Sequence, residues 1–374
     1  MKNKSDKNLV LYRKYRPRDF NEIIGQPHIV SAITNSIKLN KIAHAYLFSG
    51  PRGVGKTTTA RLIAKAVNCL EKVRPCNACA SCEKFNRGQS MNLIEIDAAS
   101  NRGIDEIREL RDGVRFSPSE GKYKVYIIDE VHQLTKEAFN ALLKTLEEPP
   151  AHILFILATT ELEKVLPTIV SRTQHYTFHR PGIQQIITRL EQLAHKENVI
   201  LDKDAARIIA LAAEGSLRDA ESIMGQVMSV ESKKITQGSV EKTLGLPKRE
   251  AAKKMFELIA LRKTAQALAL VQEINEAGSD LASFSKMLMQ YFRNALFLKT
   301  DPALKKFIED EMLADELECL NANLSAFTAE ELSRGLGIIT QNMQSFKKIP
   351  IPQLPLEMTV IELTSNNQPT AGNK

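Results

Sequence analysis

The apolar and polar positions of this chain follow two different periods, and the change of period predicts its architecture. Four short apolar runs, at 45–49, 92–97, 124–129 and 153–158, are bounded by polar or turn residues, as buried parallel strands are. Elsewhere apolar residues recur at helical spacing. The segment after the third run carries them at i, i+3, i+4 and i+7: Phe139, Leu142, Leu143 and Leu146. The pattern predicts an α/β fold with a parallel sheet in the first half of the chain and helices in the second.

A glycine-rich turn joins the first predicted strand to a helix-forming segment. Residues 50–57 match G-x-x-x-x-G-K-[ST] at every fixed position, and the strand–turn–helix order favours a nucleotide site over an ordinary turn. Its backbone N–H groups and the start of the following helix can hold phosphate oxygens. Lys56 is predicted to reach the β- and γ-phosphates, and the Thr57 hydroxyl to ligate Mg²⁺. The predicted nucleotide-binding residues of this loop are Gly50, Pro51, Arg52, Gly53, Val54, Gly55, Lys56, Thr57 and Thr58.

Two acidic residues end the third predicted strand. Asp129 is expected to help hold Mg²⁺, directly or through water, and Glu130 to polarise the attacking water. After the fourth strand, the hydroxyl of Thr159 or Thr160 is placed to orient the water or to contact the γ-phosphate. His132 is close in sequence, but a structural histidine with satisfied hydrogen bonds is its default interpretation.

Four of the five cysteines lie within fourteen residues, in the pattern C-x6-C-x2-C-x2-C: Cys69, Cys76, Cys79 and Cys82. Disulfides are unusual in a cytosolic chain, whereas C-x2-C spacing turns two thiolates towards one tetrahedral ion. Free thiols and an iron–sulfur cluster are the alternatives. Four thiolates leave no open coordination position, so we expect a structural zinc knob at about residues 69–85. Cys319, alone in a helical stretch, is expected to be a buried apolar side chain.

Composition and charge limit the class of protein. The length of 374 residues predicts about two to three domains, and 43% hydrophobic content is ordinary for a globular chain. Residues 1–18 carry seven basic residues and one acid, so most of the net charge of +7 is local and does not itself indicate DNA binding. No apolar run reaches the roughly 18 residues of a membrane span, and the Lys- and Asn-rich N-terminus leads us to expect no secretory signal. We expect a cytoplasmic protein without membrane contact and a disordered leader over residues 1–8.

Taken in chain order, these motifs resemble the gamma/tau subunit of bacterial DNA polymerase III, the ATPase motor of the sliding-clamp loader. Besides the four-cysteine insertion, the resemblance rests on residues 50–57, Asp129-Glu130, 140–150, 158–160, Ser171-Arg172 and 215–219. It is close from residue 10 to about 245 and looser over 246–365. It implies ATP, Mg²⁺ and structural Zn²⁺ as bound groups, and ATP hydrolase activity as part of the polymerase holoenzyme.

The resemblance also assigns roles that residue chemistry alone leaves open. Four residues upstream of the phosphate loop could pack on a nucleotide base or form a surface strap, and the resemblance places them around the adenine: Tyr12, Arg13, Pro17 and Ile24. It makes Thr160 the first sensor. It makes Arg172 an arginine finger that acts in trans, in the ATP site of a neighbouring subunit. It makes Arg218 the second sensor, which contacts the γ-phosphate from the lid.

The implied architecture is a three-layer P-loop AAA+ module with the zinc-binding insertion, a small helical lid, and an all-α collar domain for oligomerisation. Their expected bounds are 1–178, 179–242 and 243–365, with a disordered tail over 366–374. The chain departs from the family pattern at Thr173, where a cysteine usually follows Ser-Arg. It also ends without the long extension of tau-like forms, so tethering of the helicase and polymerase is not expected.

The function implied by the resemblance is ATP-driven loading of the sliding clamp on primed DNA. The expected partners are delta and delta-prime type subunits, further copies of the chain, the sliding clamp, the primer–template backbone, and subunits linked to the single-strand-binding protein. Helix starts at Ser100–Arg102 and Thr135 are expected to follow the DNA phosphates, with simple N-capping as the alternative. Two other functions stay open: an AAA+ motor for branch migration or helicase loading, and a clamp-loader scaffold that does not hydrolyse ATP.

Overall fold

The computed structural model describes residues 9–101, 103–231, 233–245, 247–309, 311–346 and 349–365. Its described residues divide into two compact units. The first takes in the chain up to Arg189 together with Ala213–Ser222, and the second takes in Leu190–Ala212 and the chain from Ile223 onward. The expected leader and tail, and Arg102, lie outside the described residues. The domain bounds expected from the sequence stay a prediction.

A parallel sheet forms the centre of the first unit. Among the described residues its five strands are β1 Ala45–Ser49, β2 Leu93–Asp97, β3 Lys124–Asp129, β4 Ile153–Thr159 and β5 Gln174–Thr177. They pair in the order β2-β3-β4-β1-β5, with Ser49 opposite Thr159 and Asp97 opposite Asp129. Every pairing is parallel, so the carboxyl ends of the strands meet at one edge, where open α/β sheets bind their ligands.

Helices precede and connect these strands. They are α1 Leu11–Lys14, α2 Pro27–Lys38, α3 Lys56–Val67, α4 Ala80–Asn86, α5 Ile104–Val114, α6 Lys136–Glu147 and α7 Pro167–Val170. Two longer helices, α8 Ile183–Glu197 and α10 Leu217–Val230, begin in the first unit and continue into the second. Three short 3₁₀ turns occur among the described residues of the unit, at Phe20–Glu22, Val131–Gln133 and Leu162–Lys164.

Apolar side chains cover both faces of the sheet. Successive residues of a strand point to opposite faces, so Phe48 packs in one cluster with Ile63 of α3, while Leu47 packs in the other with Leu142 of α6. All four side chains are buried, and each such burial stabilises the fold by about 1.5–3 kcal/mol. Helices therefore sandwich the sheet, and the expected three-layer α/β architecture is confirmed.

The start of α5 differs from the expectation. The backbone N–H groups of Ser100 and Asn101 both donate to the carbonyl oxygen of Asp97, at 3.1 and 2.9 Å, and the Ser100 hydroxyl donates to the Asp97 carboxylate at 2.9 Å. These bonds form a turn before the helix, which has Gly103 as its N-cap. The placement of Ser100 and Asn101 at the helix start is therefore wrong. Thr135 does cap α6, since its hydroxyl oxygen accepts a bond from the backbone N–H of Ala138.

The second unit is almost entirely helical. Besides the ends of α8 and α10, its helices are α9 Lys203–Ala212, α11 Gln237–Leu244, α12 Arg249–Ala260, α13 Thr264–Glu276, α14 Leu281–Thr300, α15 Lys305–Ile308, α16 Ala314–Asn323, α17 Ala329–Met343 and α18 Leu354–Thr364. A short parallel pair, β6 Ile200–Leu201 and β7 Lys234–Ile235, completes it. Among the described residues of the chain, no helix is both long and apolar enough to cross a membrane.

The core of the second unit contains aromatic rings and a buried ion pair. Phe256, Phe292 and Phe327 have ring centroids 5.4–5.7 Å apart. The guanidinium of Arg249 donates to both carboxylate oxygens of Glu316, at 2.7 and 2.6 Å. Such a pair is costly to break, because either partner alone would be a buried charge.

Cys319 also lies in this core. It is buried, as expected, and burial raises the pKa of its thiol to about 12. The thiol donates to the carboxylate of Glu257, with 3.2 Å between sulfur and oxygen. Cys319 is therefore a protonated structural side chain.

Candidate nucleotide site and cysteine cluster

A cleft of about 770 Å³ opens at the carboxyl edge of the sheet in the first unit. Many of the residues expected at a nucleotide site line it: Tyr12, Arg13, Pro17, Ile24, Arg52, Gly53, Val54, Gly55, Lys56, Thr57, Thr58, Asp129, Glu130 and Arg218. Of the other candidates, Gly50 and Pro51 contact Lys56 through their carbonyls, and Thr160 contacts Glu130. Arg172 does not line the cleft of its own chain.

The backbone of the phosphate loop has positive φ at Gly50, Gly53 and Gly55, a conformation that favours glycine. Gly50 has φ 137°, and a Cβ added there would lie 2.3 Å from the carbonyl oxygen of Phe178. Gly55 has φ 103°, and a Cβ added there would meet nothing within 4 Å. Because Gly55 precedes the first residue of α3 and faces open space, the N-terminal end of α3 is accessible to an anion. The loop therefore fits a phosphate group.

The ammonium group of Lys56 is held inside the loop. Its side chain is 7% exposed, and Nζ donates to the carbonyl oxygens of Gly50 and Pro51 at 2.6 and 2.8 Å. Burial lowers the pKa of Lys56, and the carboxylates of Glu130 and Asp129 partly offset this. An ammonium group has three donors, so one remains for a phosphate oxygen.

The Thr57 hydroxyl and the Asp129 carboxylate lie together across the cleft floor. Thr57 Oγ1 donates to Asp129 Oδ2 at 2.6 Å, although 72 residues separate them in sequence. A hydroxyl and a carboxylate at this separation are hard oxygen ligands of the kind that Mg²⁺ takes. The two residues fit the magnesium role expected of them.

Glu130 is held in an uncommon backbone conformation. Its φ is 50°, in the left-handed region that non-glycine residues rarely adopt. Its carboxylate oxygen Oε2 accepts bonds from the hydroxyl of Thr160 at 2.9 Å and from its backbone N–H at 3.3 Å. Of the two threonines left open by the sequence, Thr160 is thus the one that contacts the candidate base.

His132 completes a buried hydrogen-bond network beside Glu130. Its side chain is 3% exposed, and Nδ1 lies 2.9 Å from the Thr159 hydroxyl and 3.4 Å from Glu130 Oε2. Its other nitrogen, Nε2, lies 3.1 Å from Glu161 Oε1. The default interpretation, a histidine with satisfied hydrogen bonds, agrees with these contacts. Its position two residues after Glu130 was the available signal that it also contacts the site.

The N-terminal segment of residues 11–24, here named the strap, forms one wall of the cleft together with Arg218. The guanidinium of Arg218 lies over the ring of Tyr12, 4.8 Å from its centroid. A hydrogen bond from Arg218 lowers the pKa of Tyr12 despite the opposing effect of burial. Pro17 and Ile24 contribute apolar surface to the same wall. An apolar and aromatic wall beside a phosphate loop can receive a nucleotide base.

The cleft holds further arginines that the sequence did not single out. Arg189 is buried, and it donates to the Glu221 carboxylate at 2.8 Å and to the backbone carbonyl of Tyr15 in the strap at 2.6 Å. Arg61 pairs with Glu95 of β2 at the other side of the cleft. Arg61 follows Thr57 by one helical turn, which is a signal that helical spacing could have revealed.

Arg172 follows α7 and lies on the surface of the unit. Its side chain is 35% exposed, and its guanidinium donates to the Glu147 carboxylate at 2.7 Å and to the carbonyl oxygen of Thr168 at 3.0 Å. It is therefore available to another molecule while two contacts restrict its orientation.

The four clustered cysteines converge on one point. The sulfur atoms of Cys69, Cys76, Cys79 and Cys82 all lie within 4.8 Å of one another, and those of Cys76 and Cys82 are 3.9 Å apart. A zinc ion with Zn–S distances of about 2.3 Å in a tetrahedron needs sulfurs about 3.8 Å apart. The arrangement fits zinc.

Backbone N–H groups point at these sulfurs, as they do around metal-bound thiolates. Cys76 Sγ accepts from the N–H groups of Ala78 and Cys79 at 3.4 and 3.3 Å, and Cys79 Sγ accepts from that of Cys82 at 3.5 Å. Burial opposes ionisation of Cys79, but hydrogen bonds from the backbone of Leu70 and Cys82 outweigh it and lower its pKa to about 6. Burial raises the pKa of Cys82, which would need a cation nearby to ionise.

Three family models match consecutive parts of the chain. Residues 25–182 match "DNA polymerase III, delta subunit", residues 185–231 match "DNA polymerase III clamp loader subunit, ATPase lid domain", and residues 235–374 match "DNA polymerase III subunits gamma and tau domain III". The chain is 38% identical over 323 residues to DNA polymerase III subunit gamma of Buchnera aphidicola subsp. Schizaphis graminum, covering 86% of this chain and 89% of that protein. The chain belongs to the DNA polymerase III gamma/tau family.

Other relatives of this gamma/tau family member are longer. DNA polymerase III subunit tau of Bacillus subtilis is 39% identical over 372 residues, which cover 97% of this chain but 64% of that protein. The chain thus spans less than two thirds of the length of this relative. Among solved structures, the Thermotoga maritima RuvB Holliday junction branch migration motor has a TM-score of 0.48 at 20% identity, covering 65% of this chain and 78% of that one.

The comparisons confirm the resemblance to the gamma/tau family drawn from the sequence. They do not test the individual site residues. The roles of those residues in binding and hydrolysis rest on the geometry of the cleft.

Proposed function

We propose that this chain is the ATPase motor subunit of a sliding-clamp loader, and that it couples ATP binding and hydrolysis to placing the clamp on primed DNA. The observation that carries the proposal is the meeting of three elements in one cleft: the glycine loop with Lys56, the contact between Thr57 and Asp129, and the carboxylate of Glu130. Their presence argues against a scaffold subunit that does not hydrolyse ATP. Membership of the gamma/tau family favours clamp loading over other AAA+ motors.

Within the cleft, each group has a task that its position supports. The loop N–H groups and the remaining donor of Lys56 hold the β- and γ-phosphates. Thr57 and Asp129 hold Mg²⁺, which when bound offsets the charge of the phosphate oxygens. Glu130, fixed by Thr160, accepts the proton of the attacking water. Tyr12, Arg13, Pro17 and Ile24 surround the adenine, and Arg218 reaches the γ-phosphate from above Tyr12.

Hydrolysis in this proposal needs a second subunit. Arg172 is partly exposed and lies outside its own cleft, so it serves as the arginine finger of a neighbouring subunit. Such a finger is worth about 10³–10⁵ in rate. Further copies of the chain and delta and delta-prime type subunits would supply this neighbour, and the helical second unit would supply the collar that joins them.

The nucleic-acid and clamp contacts complete the cycle. ATP would lock adjacent subunits around an open clamp, and primer–template DNA would trigger hydrolysis and release. The N-terminal ends of α5 and α6, near Gly103 and Thr135, would lie along the phosphate backbone of the DNA. Contacts to phosphates give binding without sequence preference. The structural zinc would be held by the four cysteines. The work would take place in the cytoplasm at the replication fork, where subunits linked to the single-strand-binding protein would join the complex.

ATP turnover of the reconstituted loader tests this function. Clamp plus primed DNA should raise turnover of the wild-type assembly, and Lys56→Ala should abolish the rise because it removes a phosphate contact. Lys38→Ala, an exposed lysine at the end of α2, is the control and should behave as wild type. Turnover that does not respond to clamp and DNA would show that the proposed function is wrong.

A further inference from the structure

A buried lysine outside the nucleotide cleft lies between the cysteine cluster and the strap. Lys65 stands near the end of α3, is 3% exposed, and makes three hydrogen bonds through Nζ. It donates to the backbone carbonyl of Arg18 at 2.7 Å, to Asn77 Oδ1 at 2.5 Å and to Asn86 Oδ1 at 2.9 Å. Every ammonium donor is therefore used, as a buried charge requires.

These acceptors come from two separate segments. Arg18 belongs to the strap, directly after Pro17, which lines the cleft. Asn77 and Asn86 belong to the cysteine knob, defined here as residues 69–86. Asn77 also donates from Nδ2 to the same Arg18 carbonyl at 3.1 Å, so knob and strap are in direct contact as well as through Lys65.

The position of Asn77 depends on the cysteines. It lies between Cys76 and Cys79, and the next two backbone N–H groups both donate to the sulfur of Cys76. Its φ of 59° is left-handed, a conformation that costs a non-glycine residue energy and that the surrounding turn must enforce. Metal–sulfur bonds would hold the four sulfurs together, and without those bonds the turn built on the sulfur of Cys76 loses what keeps it closed.

The rest of the strap transmits this position to the cleft. The backbone N–H of Arg18 donates to Glu22 Oε2 at 2.6 Å, and the Asp19 carboxylate accepts from the N–H of Asn21 at 2.9 Å. The strap is thus internally bonded on one side of Arg18, and Pro17 restricts the backbone on the other. Because Pro17 lines the cleft and directly precedes Arg18, holding the Arg18 carbonyl in place also holds this part of the cleft wall in place.

We propose that the metal-loaded cysteine knob holds the strap in its nucleotide-binding position, with Lys65 and Asn77 as the positioning residues, so that zinc and ATP bind with positive coupling. The inference rests on the proposed ATP site but not on hydrolysis or clamp loading. Release of the metal frees Asn77, removes an acceptor from Lys65 and loosens the strap. ATP then binds only to the fraction of molecules with an ordered strap, which lowers its apparent affinity.

Asn77→Gly tests the coupling with the zinc in place. Glycine accepts the left-handed backbone and removes only the carboxamide. The matched control is Asn198→Gly in the second unit, another asparagine with positive φ, at 57°. Calorimetric titration of the zinc-loaded full chain with ATP and Mg²⁺ should give a Kd raised about fivefold or more by Asn77→Gly, the low end of typical coupling, and unchanged by Asn198→Gly.

Coupling must also run in the opposite direction. Saturating ATP should raise the equilibrium affinity of the wild-type chain for zinc, measured by competition with a colorimetric chelator, and Asn77→Gly should abolish that rise. A knob that only stabilises itself would bind zinc equally tightly with and without ATP.

Two failures can be told apart. If the zinc-loaded wild type binds ATP but Asn77→Gly binds it equally well and ATP does not raise the affinity for zinc, the coupling is wrong and the ATP site stands. If the zinc-loaded wild type binds no ATP, both the proposed function and the coupling are wrong.

Discussion

The hydroxyl of Thr160 donates to the carboxylate of Glu130, and removing it should slow ATP hydrolysis without weakening nucleotide binding. Thr160→Val keeps the branched shape and deletes only the donor. The carboxylate then keeps the backbone N–H of Thr160, at 3.3 Å, and can turn away from the position in which it accepts the proton of the attacking water. The nucleotide contacts of the loop are untouched.

The size of the effect follows from the geometry. A hydrogen bond to a charged group is worth about 1.5–3 kcal/mol, which corresponds to about 10- to 150-fold in rate. Glu130 is 29% exposed and keeps a second donor, so solvent and the backbone N–H replace part of the loss. We therefore expect the turnover of the clamp- and DNA-stimulated assembly to fall about tenfold, with the Kd for ATP unchanged.

Thr159→Val is the matched comparison because it makes the same chemical change one residue earlier. Thr159 is fully buried, and its hydroxyl contacts His132 Nδ1 and accepts from the N–H of Glu161 at 3.0 Å. Valine leaves both buried groups without that partner, which costs about 1–3 kcal/mol of unfolding free energy. This variant should unfold at lower urea concentration and lose less activity than Thr160→Val.

The two variants are compared by steady-state turnover, ATP titration and urea unfolding, which together show which threonine assists hydrolysis. Thr160→Val should change turnover alone, and Thr159→Val should change mainly stability. If Thr159→Val lost the tenfold in turnover while Thr160→Val kept wild-type rates, Thr159 would be the sensor and the reasoning from Glu130 would be refuted.

Two further predictions use the ion pairs. Glu147→Gln removes the partner that orients Arg172, so it should lower stimulated turnover by up to about fivefold, as expected of a surface ion pair. Glu148→Gln on the same surface is the control and should have no effect. Equal losses of turnover in the two variants would contradict the prediction. In the second unit, Glu316→Gln leaves the buried guanidinium of Arg249 without its negatively charged partner. It should lower the free energy of urea unfolding by about 3–5 kcal/mol. The double variant Arg249→Met, Glu316→Leu should recover most of that loss, and a larger loss would refute the explanation.

Much of the site could be predicted because its chemistry is local. The phosphate loop lies on consecutive residues between a strand and a helix, and Asp129 and Glu130 directly end a continuous apolar run. The cysteine spacing likewise places its ligands within a few turns of one another. Motifs of this kind specify their own geometry, so the fold only has to bring two of them together.

Other features leave little trace in the sequence. β5 is an edge strand, Gln174–Thr177, whose residues are half-buried or exposed and therefore show no apolar run. The predicted start of α5 was wrong because Ser100 and Asn101 are residue types that commonly cap helices. In the structure their backbone N–H groups instead donate to the carbonyl oxygen of Asp97, in a turn that precedes the helix. Propensity alone cannot show which acceptor wins such a competition.

The strap shows the physical reason why the rest of the site could not be predicted from the sequence. Two buried cations hold it: Lys65 donates to the carbonyl of Arg18, and Arg189 donates to the carbonyl of Tyr15, 174 residues away in sequence. Backbone carbonyls occur at every residue, so nothing in the side-chain pattern of the strap marks those two as acceptors. Lys65 and Arg189 can be identified in the sequence as cations, but the carbonyl oxygens that accept their hydrogen bonds cannot. A substitution in the strap that preserves the backbone should therefore lower the free energy of urea unfolding far less than the loss of either cation.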